Sequence, residues 1–158
     1  MERNIAITRE IPADILSVWK AWTTVEGVKT FFAPSAKIDL KPGGLYEMYF
    51  MPDQPAGLRG SEGCVILALD EPRLLSFTWN APPPYPEIRR QRTHVSLYME
   101  EVGKNRTRIS LNHDGWGLTP QWQGVYDYFK RVWEKVVLAR FIYSLENGPI
   151  NWDAPQVP

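Results

Sequence analysis

The chain of 158 residues holds one cysteine and two histidines, and its 18 basic side chains are matched by 18 acidic ones. A lone Cys64 cannot close an intramolecular disulfide. It sits in an apolar, strand-like run and reads as a small buried hydrophobe. No spacing of Cys, His and carboxylates suggests a zinc site. A net charge of zero lacks the basic excess of a nucleic-acid or anionic-membrane binder. No apolar run approaches the roughly 20 residues of a membrane span, and no N-terminal stretch resembles a signal peptide. Gly-x-Ser-x-Gly, phosphate-loop and dinucleotide fingerprints are also missing, and Gly43-Gly44 after Pro42 reads as a turn. These absences lead to the expectation of a soluble, cytoplasmic protein with no metal, no cofactor, no nucleic-acid partner and no membrane span. In that setting the Asn105-Arg106-Thr107 sequon reads as a turn.

What is present is concentrated in the last forty residues. A helix pattern runs over 119–146, with Val125, Phe129, Val132, Trp133, Val136, Val137, Phe141 and Leu145 on one broad stripe. Thr119 is expected as its N-cap, Pro120 at the first helical position, and Asn147-Gly148 as the stop. At about 1.5 Å per residue the helix is roughly 40 Å long, enough to cross a small sheet. One domain over residues 1–148 is expected, followed by an irregular tail over 149–158.

The rest of the chain reads as β-rich. Residues 4–9 alternate like a strand. Pro12 opens a helix pattern carrying Ile15, Leu16, Val18, Trp19 and Trp22. Thr23 or Thr24 caps a second short helix reaching Phe31-Phe32, which Pro34 ends. Six strand candidates follow, at 36–40, 45–51, 63–70, 74–80, 93–101 and 107–113. Neighbours in sequence are expected to pair antiparallel. The fold class is therefore α+β: a curved antiparallel sheet of about seven strands, in the order β-α-α-β6-α, wrapped around the long C-terminal helix with a cavity between them.

Loop lengths locate the mouth of that cavity. Connections at 41–44, 70–73 and 102–105 are tight, whereas those at 52–62, 81–92 and 114–118 are long or irregular. Tight and long connections alternate, so an up-and-down meander places all three unusual loops at one end. Long loops gathered on a rigid scaffold are where function tends to sit.

Strand parity selects the inward side chains. Matching the apolar faces of 93–101 and 107–113 pairs Met99 with Ile109, Leu97 with Leu111 and Val95 with His113. Phe77 and Trp79 point inward on 74–80. On 45–51 either Tyr46, Met48 and Phe50 or the opposite set does, the first being preferred. The two histidines, His94 and His113, fall on opposite faces of the sheet. His113 reads in two ways. It is a strand-end histidine satisfied by a loop carbonyl or by Asp114, or it is a polar contact or acid/base inside the pocket. Trp116 and Trp122 staple the loop to the helix or form a gate. Arg89, Arg90 and Arg92 are a solvated loop or a contact patch for an acidic partner or a ligand carboxylate.

Several motifs, in order, carry a family resemblance. They are Ile11-Pro12-Ala13 with Val18-Trp19-Lys20-Ala21-Trp22-Thr23, then Lys41-Pro42-Gly43-Gly44-Leu45-Tyr46, then the run from Glu71 through Trp79. Thr93-His94-Val95, the 107–116 strand and turn, and the closing helix with Trp133 and Leu138 complete the set. The chain resembles the SRPBCC, or START and birch-pollen-allergen-like, helix-grip superfamily, and within it the group named after the activator of heat-shock-protein ATPase. Phe31-Phe32 stands where members often carry a Trp pair, and the 82–86 proline insertion is atypical. The eukaryotic co-chaperone's separate chaperone-binding N-terminal domain has no counterpart in this sequence, so an ATPase-activator role is not expected to carry over.

The resemblance implies a cavity for an apolar small molecule and no shared catalytic residues. The expected ligand-binding residues are Phe32, Tyr46, Met48, Phe50, Phe77 and Trp79 on one part of the wall. Val95, Leu97, His113, Trp116, Trp122, Tyr126, Phe129 and Trp133 make up the other. The leading expectation is a non-catalytic binder of a small hydrophobic or aromatic molecule. The alternatives are a cyclase or aromatase using His113 as acid/base, and a protein-interaction or co-chaperone-like module using the Pro-rich loop. Homodimerisation is left open.

Overall fold

In the computed structural model, which describes residues 3–157, seven strands form two sheets that meet at an irregular seam. The chain starts with β1 (Ile5–Ile11), α1 (Ile15–Thr23) and α2 (Val25–Val28), followed by β2 (Ser35–Ile38) and β3 (Tyr46–Tyr49). Next come β4 (Ile66–Asp70), β5 (Leu74–Trp79), a short α3 (Pro86–Arg89), β6 (Thr93–Gly103) and β7 (Arg106–Asp114). The C-terminal helix comprises α4 (Gln121–Val132), a π-helical segment (Trp133–Leu138) and α5 (Ala139–Asn147).

The larger sheet is antiparallel with the order β1-β7-β6-β5-β4, and β2 pairs with β3. Bridges at Leu45–Val65 and Tyr49–Gly60 join β3 to the β4 edge, so the expected seven-stranded curve is present but broken into five strands and two. The β6–β7 register is the one that apolar matching dictates: Met99 lies opposite Ile109, Leu97 opposite Leu111 and Val95 opposite His113. Burial follows the same parity. Val95, Leu97, Ile109, Leu111, Phe77, Tyr46 and Met48 are all buried. Slipping any of these strands by one residue would turn the whole set to solvent.

Capping differs from expectation at two of three helix starts. β1 runs through Ile11, so Pro12 does not open α1. The Asp14 carboxylate does, accepting from the Ser17 N–H at 3.1 Å and from Ser17 Oγ at 2.6 Å. Those bonds hold the Asp14 carboxyl below its usual range. Leu16, expected on the apolar stripe, is 54% exposed. Thr24 caps α2 as expected, accepting from the Gly27 N–H at 3.0 Å, and α2 ends at Val28, short of Phe31-Phe32. Thr119 makes no side-chain capping bond. The start of α4 instead satisfies its N–H groups through short turns, Trp122 N to Thr119 O and Gln123 N to Pro120 O.

The tail beyond Gly148 has no regular element but is tied down. Ile150 is buried and its N–H donates to Thr30 O, while Trp152 Nε1 donates to Lys29 O at 2.7 Å. Among the described residues no helix is long and apolar enough to cross a membrane, and no group of three His, Cys, Asp or Glu could hold a metal.

Candidate ligand-binding groove

Between the C-terminal helix and the sheet edge lies a groove of about 330 Å³. That is at the small end of the range for small-molecule sites, about 300–1,000 Å³. Four segments build its walls. Phe31 and Phe32 follow α2. Phe50, Met51, Leu58 and Arg59 come from the long loop after β3. Trp79 through Pro83, with Arg89, come from the end of β5 and the Pro-rich loop. Tyr128, Phe129, Arg131, Val132 and Trp133, with Val136, Val137 and Arg140, come from the helix. Two of the three long loops therefore meet at this mouth. The third, 114–118, borders a separate polar depression with Asn4 and Asp114.

An aromatic stack forms the floor. Phe32 stacks on Trp79 at 5.7 Å between ring centroids, Trp79 lies 5.6 Å from Trp133, and Phe50 sits 5.9 Å from Phe32. Phe50 lies just past the end of β3 and is 42% exposed, so it presents a ring face at the rim. The π-helical segment supplies Trp133, Val136 and Val137 to the wall. An i→i+5 segment inserts a residue into the helix and rotates everything after it, a device that recurs at functional sites.

The mouth is held open by arginine. Arg89, which the sequence leaves as part of a solvated loop or of a contact patch, is buried, with 9% of its surface exposed. Its guanidinium donates to the carbonyls of Ala81, Gly57 and Gly60, and Glu62 lies 3.9 Å away. Arg92 donates to Arg89 O and Glu62 O. A rigid fork of donors suits this task, since loop carbonyls would otherwise be left unpaired. Burial lowers the pKa of Arg89, with Glu62 opposing. Burial pushes the Glu62 carboxyl up, but N–H donors from Arg59, Gly60 and Gly57 outweigh it and hold the group below its ordinary value. Arg90 remains exposed. The Pro-rich loop is thus pinned to the body, with Ala81 and Ile88 buried, and is not a free docking segment.

His113 is placed differently from either reading. Trp133 Nε1 donates to its Nδ1 at 2.9 Å, and its Nε2 lies 2.7 Å from Thr93 Oγ1. An indole N–H only donates, so Nδ1 must accept, Nε2 carries the hydrogen, and the ring is neutral. The ring is fully buried, and burial, assisted by His94, lowers its pKa to about 3. Neither the loop carbonyl nor Asp114 satisfies it. Asp114 pairs with exposed His94 at 3.2 Å on the opposite face. With both nitrogens occupied and no solvent contact, His113 has no proton to exchange with a substrate. It orients Trp133.

Of the expected site residues, Phe32, Phe50, Trp79, Phe129 and Trp133 line the groove. Tyr46, Met48, Phe77, Val95 and Leu97 do not; each is fully buried core, and the Tyr46 hydroxyl donates to Trp22 O at 2.7 Å. His113, Trp116, Trp122 and Tyr126 also lie outside it. Trp116 donates to His113 O at 3.0 Å and packs on Tyr126 at 5.4 Å, which staples the loop to the helix as one of its two readings held. Trp122 is buried over Gly117, where any Cβ would collide with the indole. Sequence reasoning missed Phe31, Met51, Leu58, Arg59, Tyr128, Arg131 and Arg140. Only Leu58 and Arg59 carried a signal, by lying in a long loop.

A curved antiparallel sheet gripping one long helix, with an aromatic groove between them, defines a helix-grip protein of the SRPBCC superfamily. The model of the activator of Hsp90 ATPase homolog 1-like family matches residues 12–141, and the chain belongs to that family. Among solved structures it is similar to an Hsp90 activator from Plasmodium falciparum, at 18% identity and TM-score 0.69, over 90% of this chain and 96% of that one. It is also similar to a protein from Mesorhizobium loti, at 18% identity and TM-score 0.72, over 94% of this chain and all of that one. The Aha1 dimer from Colwellia psychrerythraea matches at 19% identity and TM-score 0.66, over 92% of this chain and 98% of that one. A comparison with curated protein sequences finds no match.

Proposed function

We propose that the protein binds a small apolar, partly aromatic molecule in the groove between the C-terminal helix and the sheet, without transforming it. The observation that supports this most is the groove itself: about 330 Å³ floored by Phe32, Trp79 and Trp133 and open at Phe50. Phe50, Met51 and Leu58 leave apolar surface exposed at the opening, and a flat apolar guest would remove it from solvent. A cyclase-type reaction at His113 finds no support in the geometry, because the ring is neutral, buried and saturated with hydrogen bonds. Self-association is taken only from the relative described as a dimer.

Native mass spectrometry of freshly purified protein, followed by denaturing extraction, tests the proposal. The expected result is a co-purifying apolar molecule that changes Trp fluorescence on re-addition, since Trp79 and Trp133 face the groove. A clean apo mass with no Trp response to a panel of lipids and aromatics would overturn it. The same spectrum reports whether the chain is a dimer.

A further inference from the structure

Charge in the groove is one-sided. Arg59, Arg89, Arg131 and Arg140 line it, and among the described residues no Asp or Glu does. The four are not equivalent. Arg89 is consumed by three loop carbonyls and by Glu62. Arg140 gives its Nε to Val157 O and stacks over Trp152. Arg59 uses only its Nε, donating to Gln54 O at 2.8 Å. Arg131 lies over the Tyr128 ring at 5.9 Å. Among the described residues neither Arg59 nor Arg131 has a carboxylate within ion-pair distance. One comes from the loop wall and the other from the helix wall of the same apolar groove.

We infer that the ligand is an amphiphile carrying one acidic group, a carboxylate, sulfonate or phosphate, on an apolar or aromatic body. The body lies on the Phe32–Trp79–Trp133 floor, and the acid group sits at the rim between Arg59 and Arg131. This rests on the groove reading above and narrows it to a ligand class. Two guanidiniums at the edge of an apolar cavity repel each other, and partial exclusion of water strengthens that repulsion. An anion between them relieves it and gains bidentate, charge-assisted hydrogen bonds. A cationic guest would face four like charges. A neutral one would leave the two forks unpaired.

The test uses a matched pair of fluorescent probes: 8-anilinonaphthalene-1-sulfonate and N-phenyl-1-naphthylamine, the same skeleton without the sulfonate. The full chain is titrated with each at low and high salt, for wild type and for Arg59→Gln, Arg131→Gln and the double variant. Arg131 is exposed and Arg59 half-exposed, so the variants keep the fold, and far-UV circular dichroism checks this. The expected result is a sulfonate preference of about tenfold or more at low salt, reduced by added salt. In the double variant the preference shrinks several-fold, the sulfonate losing more affinity than the neutral amine. Equal binding of both probes by wild type overturns the acidic-ligand inference and leaves the groove reading standing. A sulfonate preference that survives in the double variant overturns the assignment to these two arginines. Binding of neither probe overturns the groove reading and the inference together.

Discussion

Two aromatic clusters share the C-terminal helix and have opposite fates. On one side of Phe129 and Trp133, His113 is surrounded by Trp116, Phe129 and Trp133 at centroid distances of 4.2, 5.1 and 6.0 Å. Every ring nitrogen there that could hydrogen-bond does so inside the protein: Trp116 to the His113 carbonyl, Trp133 to His113, and His113 to Thr93. On the other side Phe32 and Trp79, themselves nearly buried, form a group of similar size with Phe50, which is 42% exposed at the groove's rim. The difference is what closes each cluster. The first is capped by the irregular 114–118 turn, where Gly117 lets Trp122 pack directly on the backbone. The second is bordered by two long loops that Arg89 ties to each other and not to the helix. Aromatic density alone therefore does not make a site; a cluster closed by a glycine turn is core, and one framed by stapled loops is a groove.

The largest effect should come from opening the sealed cluster. His113→Ala removes a buried ring, strands the Trp133 indole N–H and takes away the donor to Thr93 Oγ1. The expected loss is about 3 kcal/mol of unfolding free energy, from the void and the lost hydrogen bonds together. Urea unfolding measures it. The comparison breaks if stability is unchanged while probe binding is lost, for His113 would then belong to the groove.

Acid should act on the same residue. The folded-state pKa of His113, about 3, is lowered from 6.5 by burial first and by His94 second. Between these values the unfolded chain takes up a proton that the folded chain refuses. The stabilisation is complete above pH 6.5 and is lost as pH falls toward 3, at a limiting slope of about 1.4 kcal/mol per pH unit. Between pH 6.5 and 5, where most carboxylates stay ionised, His113→Gln should remove most of that slope. A slope unchanged in the variant would mean that another group carries it and that the ring is not sealed.

How much of this contrast can be read from the sequence depends on the element. Apolar matching on β6 and β7 fixes the register, and with it the inward direction of His113. Alternation of short and long connections finds the end where the groove opens. Inwardness is not accessibility, however. Tyr46, Met48, Phe77, Val95 and Leu97 share the inward face with Trp79, and parity does not say which of them border the groove. Arg89 reads as a loop charge because its acceptors are backbone carbonyls about 30 residues away, which carry no side-chain signal. The π-helical segment is equally silent. Trp133, Val136 and Val137 fall on one stripe at ordinary helical spacing, and nothing in that pattern marks the i→i+5 segment.

The smallest effect on stability, and the sharpest test of the contrast, belongs to Phe50. Its ring is 42% exposed, lies beyond the last residue of β3, and touches the floor only through edge and tilted contacts with Trp79 and Phe32. Truncation to alanine removes a rim and leaves no enclosed void, so unfolding free energy should move by no more than about 0.5 kcal/mol. A guest on the Phe32–Trp79 floor would still lose one of its ring contacts, and its affinity should drop about tenfold. Measured side by side, Phe50→Ala and His113→Ala should therefore invert: one weakens binding and spares the fold, the other weakens the fold. Equal losses of stability in the two variants would mean that the rim is packed like the sealed cluster and that the groove is closed in solution.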